Sequence, residues 1–179
     1  MQKYSPTTPK PPEKKAVLLI GPAGGGKTTL MLQTPRPGVF DCDQNLDGPI
    51  AQIRKTWNKG LEFGHCAVRF DEKGNPVDPS TLFDRLIQLL YSAKSDDTFD
   101  TLCLDSLLHV NEFIILNNLK KHGVSAFEPR HYDTVKSDYF RLIATALRNS
   151  GKDCFVSVHE KTFTKATGNK ANMMEKTVA

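Results

Sequence analysis

Ala16-Val17-Leu18-Leu19-Ile20-Gly21-Pro22-Ala23-Gly24-Gly25-Gly26-Lys27-Thr28-Thr29-Leu30-Met31-Leu32-Gln33 is the stretch that decides the fold. Residues 16–20 are apolar without interruption, as in a strand buried within a parallel sheet. Residues 21–28 satisfy G-x-x-x-x-G-K-[ST] without a mismatch, and 28–33 suits the opening of a helix. A strand, a glycine loop and a helix in that order make the pattern a phosphate site. Glycines let the backbone bend until several N–H groups converge on a phosphate chain, and the helix N-terminus adds a favourable dipole. The expected nucleotide-binding residues are therefore Gly21, Pro22, Ala23, Gly24, Gly25, Gly26, Lys27, Thr28 and Thr29. Lys27 should reach the β- and γ-phosphates of ATP, and the Thr28 hydroxyl should sit on Mg2+. A glycine-rich surface turn could carry the same letters, but not with these flanks.

Outward from this loop, short apolar runs alternate with amphipathic ones. Thr34-Pro35-Arg36-Pro37-Gly38 breaks the chain, and Val39–Cys42 reads as a second strand. A helix is expected from about Pro49 to Lys59, with the proline allowed in its first turn. His65–Phe70 reads as a third strand and Asp71–Pro79 as a turn-rich connection. Ser80 is the expected cap of a helix whose Leu82, Phe83, Leu86, Ile87, Leu89 and Leu90 form one apolar face. Phe99–Asp105 is the next strand, Leu107–Lys121 and Thr134–Asn149 are two helices, and Cys154–Val158 is a further strand. This alternation predicts an α/β fold, a three-layer, doubly wound and mainly parallel sheet. The predicted organisation is a flexible arm over 1–15, one core over 16–160 and a flexible basic loop or tail over 161–179.

Composition excludes some functions and permits others. A chain of 179 residues with 39% hydrophobic and 25% charged residues has the balance of a soluble globular domain. It has no apolar run approaching the roughly 18 residues of a membrane helix, so no membrane role is expected. Met1–Lys15 lacks the apolar segment of a secretory signal. Cys42, Cys66, Cys103 and Cys154 are too widely spaced for a zinc site and read as buried free thiols of a reducing, cytoplasmic protein. A net charge of +4 permits an acidic partner without requiring one.

A phosphate loop of this kind needs a carboxylate to hold hydrated Mg2+ opposite Thr28. Leu102-Cys103-Leu104-Asp105 offers one, expected to be exposed at the carboxyl end of a strand, the edge where open α/β sheets bind ligands. The bland alternative for Asp105 is a cap on the helix that follows. Asp100 lies at the opposite edge of the same strand.

Two strands, at Val39 and His65, intervene between the glycine loop and Asp105. This arrangement resembles the RecA-like and AAA-type branch of P-loop ATPases, and the RecA core more closely. In that core the second strand ends in Phe-Ile-Asp-Ala-Glu with Leu-Asp two residues on. Here Val39-Phe40-Asp41-Cys42-Asp43-Gln44-Asn45-Leu46-Asp47 stands in the same register. The resemblance implies that Asp43 polarises the attacking water, with Asp in place of the family's Glu; the alternative is that Asp41 and Asp43 only cap the next helix. It also implies a γ-phosphate sensor after the last strand, His159 or, one residue on, Glu160; the alternative for His159 is a satisfied structural histidine. In RecA-like recombinases the loop that follows contacts single-stranded DNA, so the resemblance implies Lys161, Phe163, Lys165 and Lys170 as candidate contacts, the alternative being a solvated flexible tail. RecA-like cores continue into further strands beyond that loop, so a core shortened at the C-terminus is expected here.

The chain resembles the small phage and prophage RecA-core ATPases linked to single-strand annealing and recombination. The implied activity is Mg2+-dependent ATP hydrolysis coupled to recombination or single-stranded DNA handling, in a bacterial or phage-infected cytoplasm. The implied partners are single-stranded DNA, further copies of the chain in a ring or filament, and other replication or recombination proteins. The alternatives are a nucleotide-gated binding or helicase-loading module with little hydrolysis, and a nucleotide kinase. A kinase lid clusters its arginines, whereas Arg130, Arg141 and Arg148 are dispersed.

Overall fold

The computed structural model describes residues 14–57 and 62–160, and the backbone of 162–164 and 176–178. Five parallel strands form one sheet: β1 (Ala16–Gly21), β2 (Pro37–Asp41), β3 (Gly64–Ala67), β4 (Thr101–Asp105) and β5 (Asp153–His159). Their spatial order is β1-β5-β4-β2-β3. The chain therefore leaves the glycine loop, builds the far half of the sheet, and returns to insert β5 between β1 and β4. All carboxyl ends lie on one edge, and the register sets Gly21 beside His159 and Asp41 beside Asp105.

Helices cover both faces, which produces the predicted three layers. On one face α1 (Lys27–Met31) and α2 (Asp47–Trp57) bury Met31, Leu32, Leu46 and Ile53 against Val39 and Cys103. On the other face lie α3 (Leu82–Lys94), α4 (Leu107–His122) and α5 (Tyr132–Phe140). Phe83, Leu86, Ile87, Leu90, Val110, Phe113 and Ile114 pack there on Phe40, Leu102 and Leu104. Adjacent residues of β2 and β4 thus point into opposite cores, as the two-residue strand period requires. Every residue of both strands is buried.

Several sequence expectations change in the fold. Residues 16–20 were expected to form a buried strand, but β1 is an edge strand, with Leu18 54% and Ile20 63% exposed. The insertion of β5 takes β1's inner side and leaves its outer side without a sheet neighbour among the described residues. The third strand stops at Ala67, because the chain turns there and Arg85 of α3 donates to the carbonyls of Val68 (3.1 Å) and Phe70 (2.7 Å). Asp78 replaces Ser80 as the cap before α3: its carboxylate accepts from the Ser80 N–H (3.0 Å) at a 3-10 turn over Pro79–Thr81. The helix expected over Thr134–Asn149 begins at Tyr132 and is α-helical to Phe140. It then widens to a π-helical stretch over Arg141–Leu147. Beyond β5, Thr162–Thr164 and Lys176–Val178 pair antiparallel. The arm at 1–13, and Lys161, Lys165 and Lys170 of the basic loop, lie outside the described residues.

At the edge opposite the carboxyl ends, Gly38 and Gly64 are register partners, and Phe99 lies across both. A Cβ at Gly64 would sit 2.0 Å from the Phe99 ring, and one at Gly38 would sit 2.9 Å from it. The two glycines make room for the aromatic lid that closes this end of the core. Gly64→Ala should destabilise the fold by about 1–3 kcal/mol, the usual cost of overpacking. Denaturant titration should show most of that loss recovered when Phe99 is also shortened to Leu. An equal penalty in both backgrounds would mean that the ring is not the obstacle.

Candidate functional site

The glycine loop takes the conformation its residues allow. Gly24 (φ +73°) and Gly26 (φ +80°) adopt the left-handed region open to glycine. The Gly25 N–H donates to the Pro22 carbonyl (3.1 Å), closing a turn, and Gly26 caps α1. α1 is short and begins at Lys27, so the loop amides and the first turn of the helix face the same space.

That space is a cleft of about 320 Å3, lined by Ala23, Gly24, Gly25, Gly26, Lys27, Thr28, Thr29, Asp43 and His159 among the predicted residues. Gly21 and Pro22 do not line it. Their carbonyls instead accept hydrogen bonds from Lys27 Nζ, at 2.9 and 2.8 Å, and Lys27 is buried against them. Lys27 Nζ also lies 3.5 Å from His159 Nδ1, and His159 Nε2 lies 3.9 Å from the Asp43 carboxylate. Lys27, His159 and Asp43 therefore form a row along the floor. Glu160 contributes its N–H, which donates to the Gly21 carbonyl (3.0 Å).

Asp105 was expected to be an exposed acid; instead it is 2% exposed. β4 is the central strand, and its last side chain turns under the glycine loop. One carboxylate oxygen accepts from Thr28 Oγ1 (2.5 Å) and the other from Ser157 Oγ of β5. A hydroxyl and a buried carboxylate in contact form a hard-oxygen pair, the donor chemistry suited to a Mg2+ ion that keeps several waters. The residues present thus fit the ion the loop implies. Asp100 is at the far edge, held by a two-pronged pair with Arg36 at 2.7 and 2.6 Å.

Asp43 occupies a crowded acidic corner. Burial pushes its carboxyl up to about 6, the charges of Asp105 and Asp41 add to the rise, and the Asn45 N–H (3.1 Å) opposes it. Such a group is poised to exchange a proton near neutral pH. Asp41 is buried, accepts from the Gln44 N–H (2.7 Å), and lies 3.2 Å from His65 Nε2. Gln44 itself is in the left-handed region (φ +62°), which a non-glycine residue adopts at a cost.

The opposite wall was not foreseen from the sequence. Asn45, Gly48, Pro49 and Gln52 line the cleft from α2 and the turn before it. The signal was present as a stripe at helical spacing beside the apolar stripe of Leu46, Ile50 and Ile53 that fastens α2 to the core. Ser157 was also missed as a partner, although it is the lone hydroxyl in an otherwise apolar strand interior. The lysines at 120 and 121 pair with Asp78 (3.0 Å) and Asp84 (3.9 Å), as ordinary residues of a helix C-terminus do. Of the predicted DNA contacts, only the backbone of Phe163 is described, in register with Thr177. The cysteines are free thiols: Cys42, Cys103 and Cys154 are buried and Cys66 is partly so.

No curated protein matches the chain. A family model described as an AAA domain matches residues 13–178, which includes the glycine loop, both acids and every strand of the sheet. The phosphate loop at the carboxyl edge of a parallel sheet is what that family leads one to find, and the match spans nearly the whole chain. The protein belongs to the AAA domain family of P-loop nucleotide-binding proteins.

Proposed function

We propose that the protein is a Mg2+-dependent ATPase whose nucleotide state governs its hold on single-stranded DNA. What carries the reading is the convergence of Lys27, the Thr28–Asp105 pair and Asp43 on one cleft at the sheet's carboxyl edge. The loop amides and Lys27 bind the triphosphate, Lys27 exchanging the Gly21 and Pro22 carbonyls for phosphate oxygens. Thr28 and Asp105 would hold Mg2+, which supplies neutralisation of the developing charge on the phosphates. Asp43 orients a water and accepts its proton as the oxygen attacks the γ-phosphorus and the bond to the ADP leaving oxygen breaks. His159, between Lys27 and Asp43, senses whether the γ-phosphate is present and passes that to the segment that follows it. Asp for Glu at position 43 sets the carboxylate one methylene further from the water and predicts slow turnover by the isolated protein.

A kinase reading has less support. Arg130 pairs with Glu128 and Arg141 with Asp84, so neither stands ready over the cleft. For DNA, the support is the sequence after His159 and its direct continuity with the floor of the cleft. Oligomerisation into a ring or filament, and roles in phage recombination, extend the same reading.

Lys27→Ala removes a charge-assisted contact worth about 1.5–3 kcal/mol. ATP affinity should fall by roughly one to two decades. Equilibrium titration with a fluorescent ATP analogue measures this, and unchanged affinity in the folded variant would remove the loop from the site.

The two acids should separate. Asp105→Asn should weaken Mg2+-dependent binding and stop turnover, whereas Asp43→Asn should keep binding and stop turnover. Because burial raises the Asp43 carboxyl, its basic form is lost as pH falls through about 6. The acid limb of kcat/KM should lie there, falling about tenfold per pH unit below it. Equal loss of binding in both variants would make Asp43 a structural cap or a metal ligand.

Binding to a single-stranded oligonucleotide should weaken with salt, each lysine-to-phosphate contact contributing about 0.7 to the logarithmic slope. Neutralising Lys161, Lys165 and Lys170 together should flatten it. Affinity should also differ among ATP, ADP and nucleotide-free states, measured by gel shift. Identical binding in all three would end the coupled mechanism.

A further inference from the structure

Asp43 sits on a short loop whose geometry is set from outside the cleft. The Cys42 N–H donates to the Asp105 carbonyl (2.6 Å), and the Val68 N–H donates to the Asp41 carbonyl (3.1 Å). The Cys42 carbonyl, the last main-chain acceptor before Asp43, receives Nε of Arg69 at 2.7 Å. Arg69 is not on the loop but on the turn after β3. Its guanidinium lies 4.9 Å above the ring of Phe113, and its other end reaches Glu112 at 3.4 Å. Phe113 and Glu112 belong to α4, the helix that starts directly after Asp105 and Ser106. Arg85 fixes the turn that carries Arg69 by donating to the carbonyls on either side of it.

We propose that Arg69 is a positioning residue for Asp43, a clamp that ties the peptide before this acid to the helix following Asp105. The planar guanidinium does what a lysine could not do at once: stack on an aromatic face, donate sideways to a carbonyl and meet a carboxylate. The loop needs such a tie because Gln44, next to Asp43, holds a left-handed conformation that persists only where its surroundings over-determine it. Asp41 holds the Gln44 N–H on one side, and Arg69 holds the Cys42 carbonyl on the other. Releasing the second tie leaves the glycine loop, Lys27 and the Thr28–Asp105 pair in place while the Asp43 carboxylate loses its aim at the water.

This inference rests on the reading of Asp43 as the base, and the experiment separates the two. Arg69→Met keeps the stem over Phe113 and removes every donor; Arg69→Lys keeps the charge and one donor without the fork. Turnover at saturating Mg-ATP, with single-stranded oligonucleotide present and absent, and the dissociation constant of a fluorescent ATP analogue are measured for both, and for Asp43→Asn. Arg69→Met should lose about tenfold to a hundredfold in kcat, the scale of a misplacement near 1 Å, with its ATP affinity held within about threefold. Arg69→Lys should fall between Arg69→Met and the parent, or match Arg69→Met. Parallel loss of kcat and affinity in both variants would make Arg69 a strut of the fold, and parental kcat in both would show that the clamp does not matter. Either result overturns the proposal while leaving Asp43 as the base if Asp43→Asn is inactive. Parental turnover in Asp43→Asn would bring down the reading of the base itself, and the clamp with it.

Discussion

The buried carboxylate of Asp105 is the constraint from which the rest of the site follows. An ionised group taken out of water must be compensated by hydrogen bonds or opposite charge. Here the compensation comes from two hydroxyls on different elements, Thr28 at the start of α1 and Ser157 inside β5. α1, β4 and β5 are thereby joined through one side chain at the carboxyl edge of the sheet, which fastens the helix after the glycine loop to the strands beneath it. A hard cation between Thr28 and Asp105 would complete the same compensation, so the need to satisfy a buried acid and the capacity to hold a metal are one feature.

The position of β5 gives that feature its reach. Because β5 inserts between β1 and β4, its last residue stands beside Gly21, and the floor of the cleft becomes Lys27, His159 and Asp43. Glu160 and Lys27 share the Gly21 carbonyl as acceptor. Any movement of Lys27 toward a phosphate frees part of that carbonyl and a face of His159, at the point where the chain leaves the sheet for the segment at 161. The floor of the cleft is thus tied by a hydrogen bond to Glu160, the residue that follows β5.

Strong local signals carried well into three dimensions. The glycine loop, the apolar stripe of α3 and the central strand around Cys103 each combine a pattern with the turn chemistry that ends it, and each stands close to where the pattern puts it. Boundaries set by long-range contacts did not carry. β3 ends where Arg85 captures two carbonyls, and the helix after Pro129 changes its pitch at Arg141, whose guanidinium pairs with Asp84 of α3. Neither event leaves a mark within a window of local sequence.

From the residues in order one can read that a strand delivers a glycine loop to a helix, that Lys27 and Thr28 follow it, that Asp43 comes just after one strand and that Asp105 ends another. Those statements need only the strand period, glycine's freedom at positive φ and the chemistry of phosphate. Tertiary structure alone decided that β1 lies at an edge, that Asp105 is buried with Ser157 as its partner, and that Arg69 reaches the peptide before Asp43. Strand order and side-chain pairing across tens of residues are settled by which arrangement buries both faces of the sheet and satisfies each buried polar group, a condition on the whole chain that no local pattern contains.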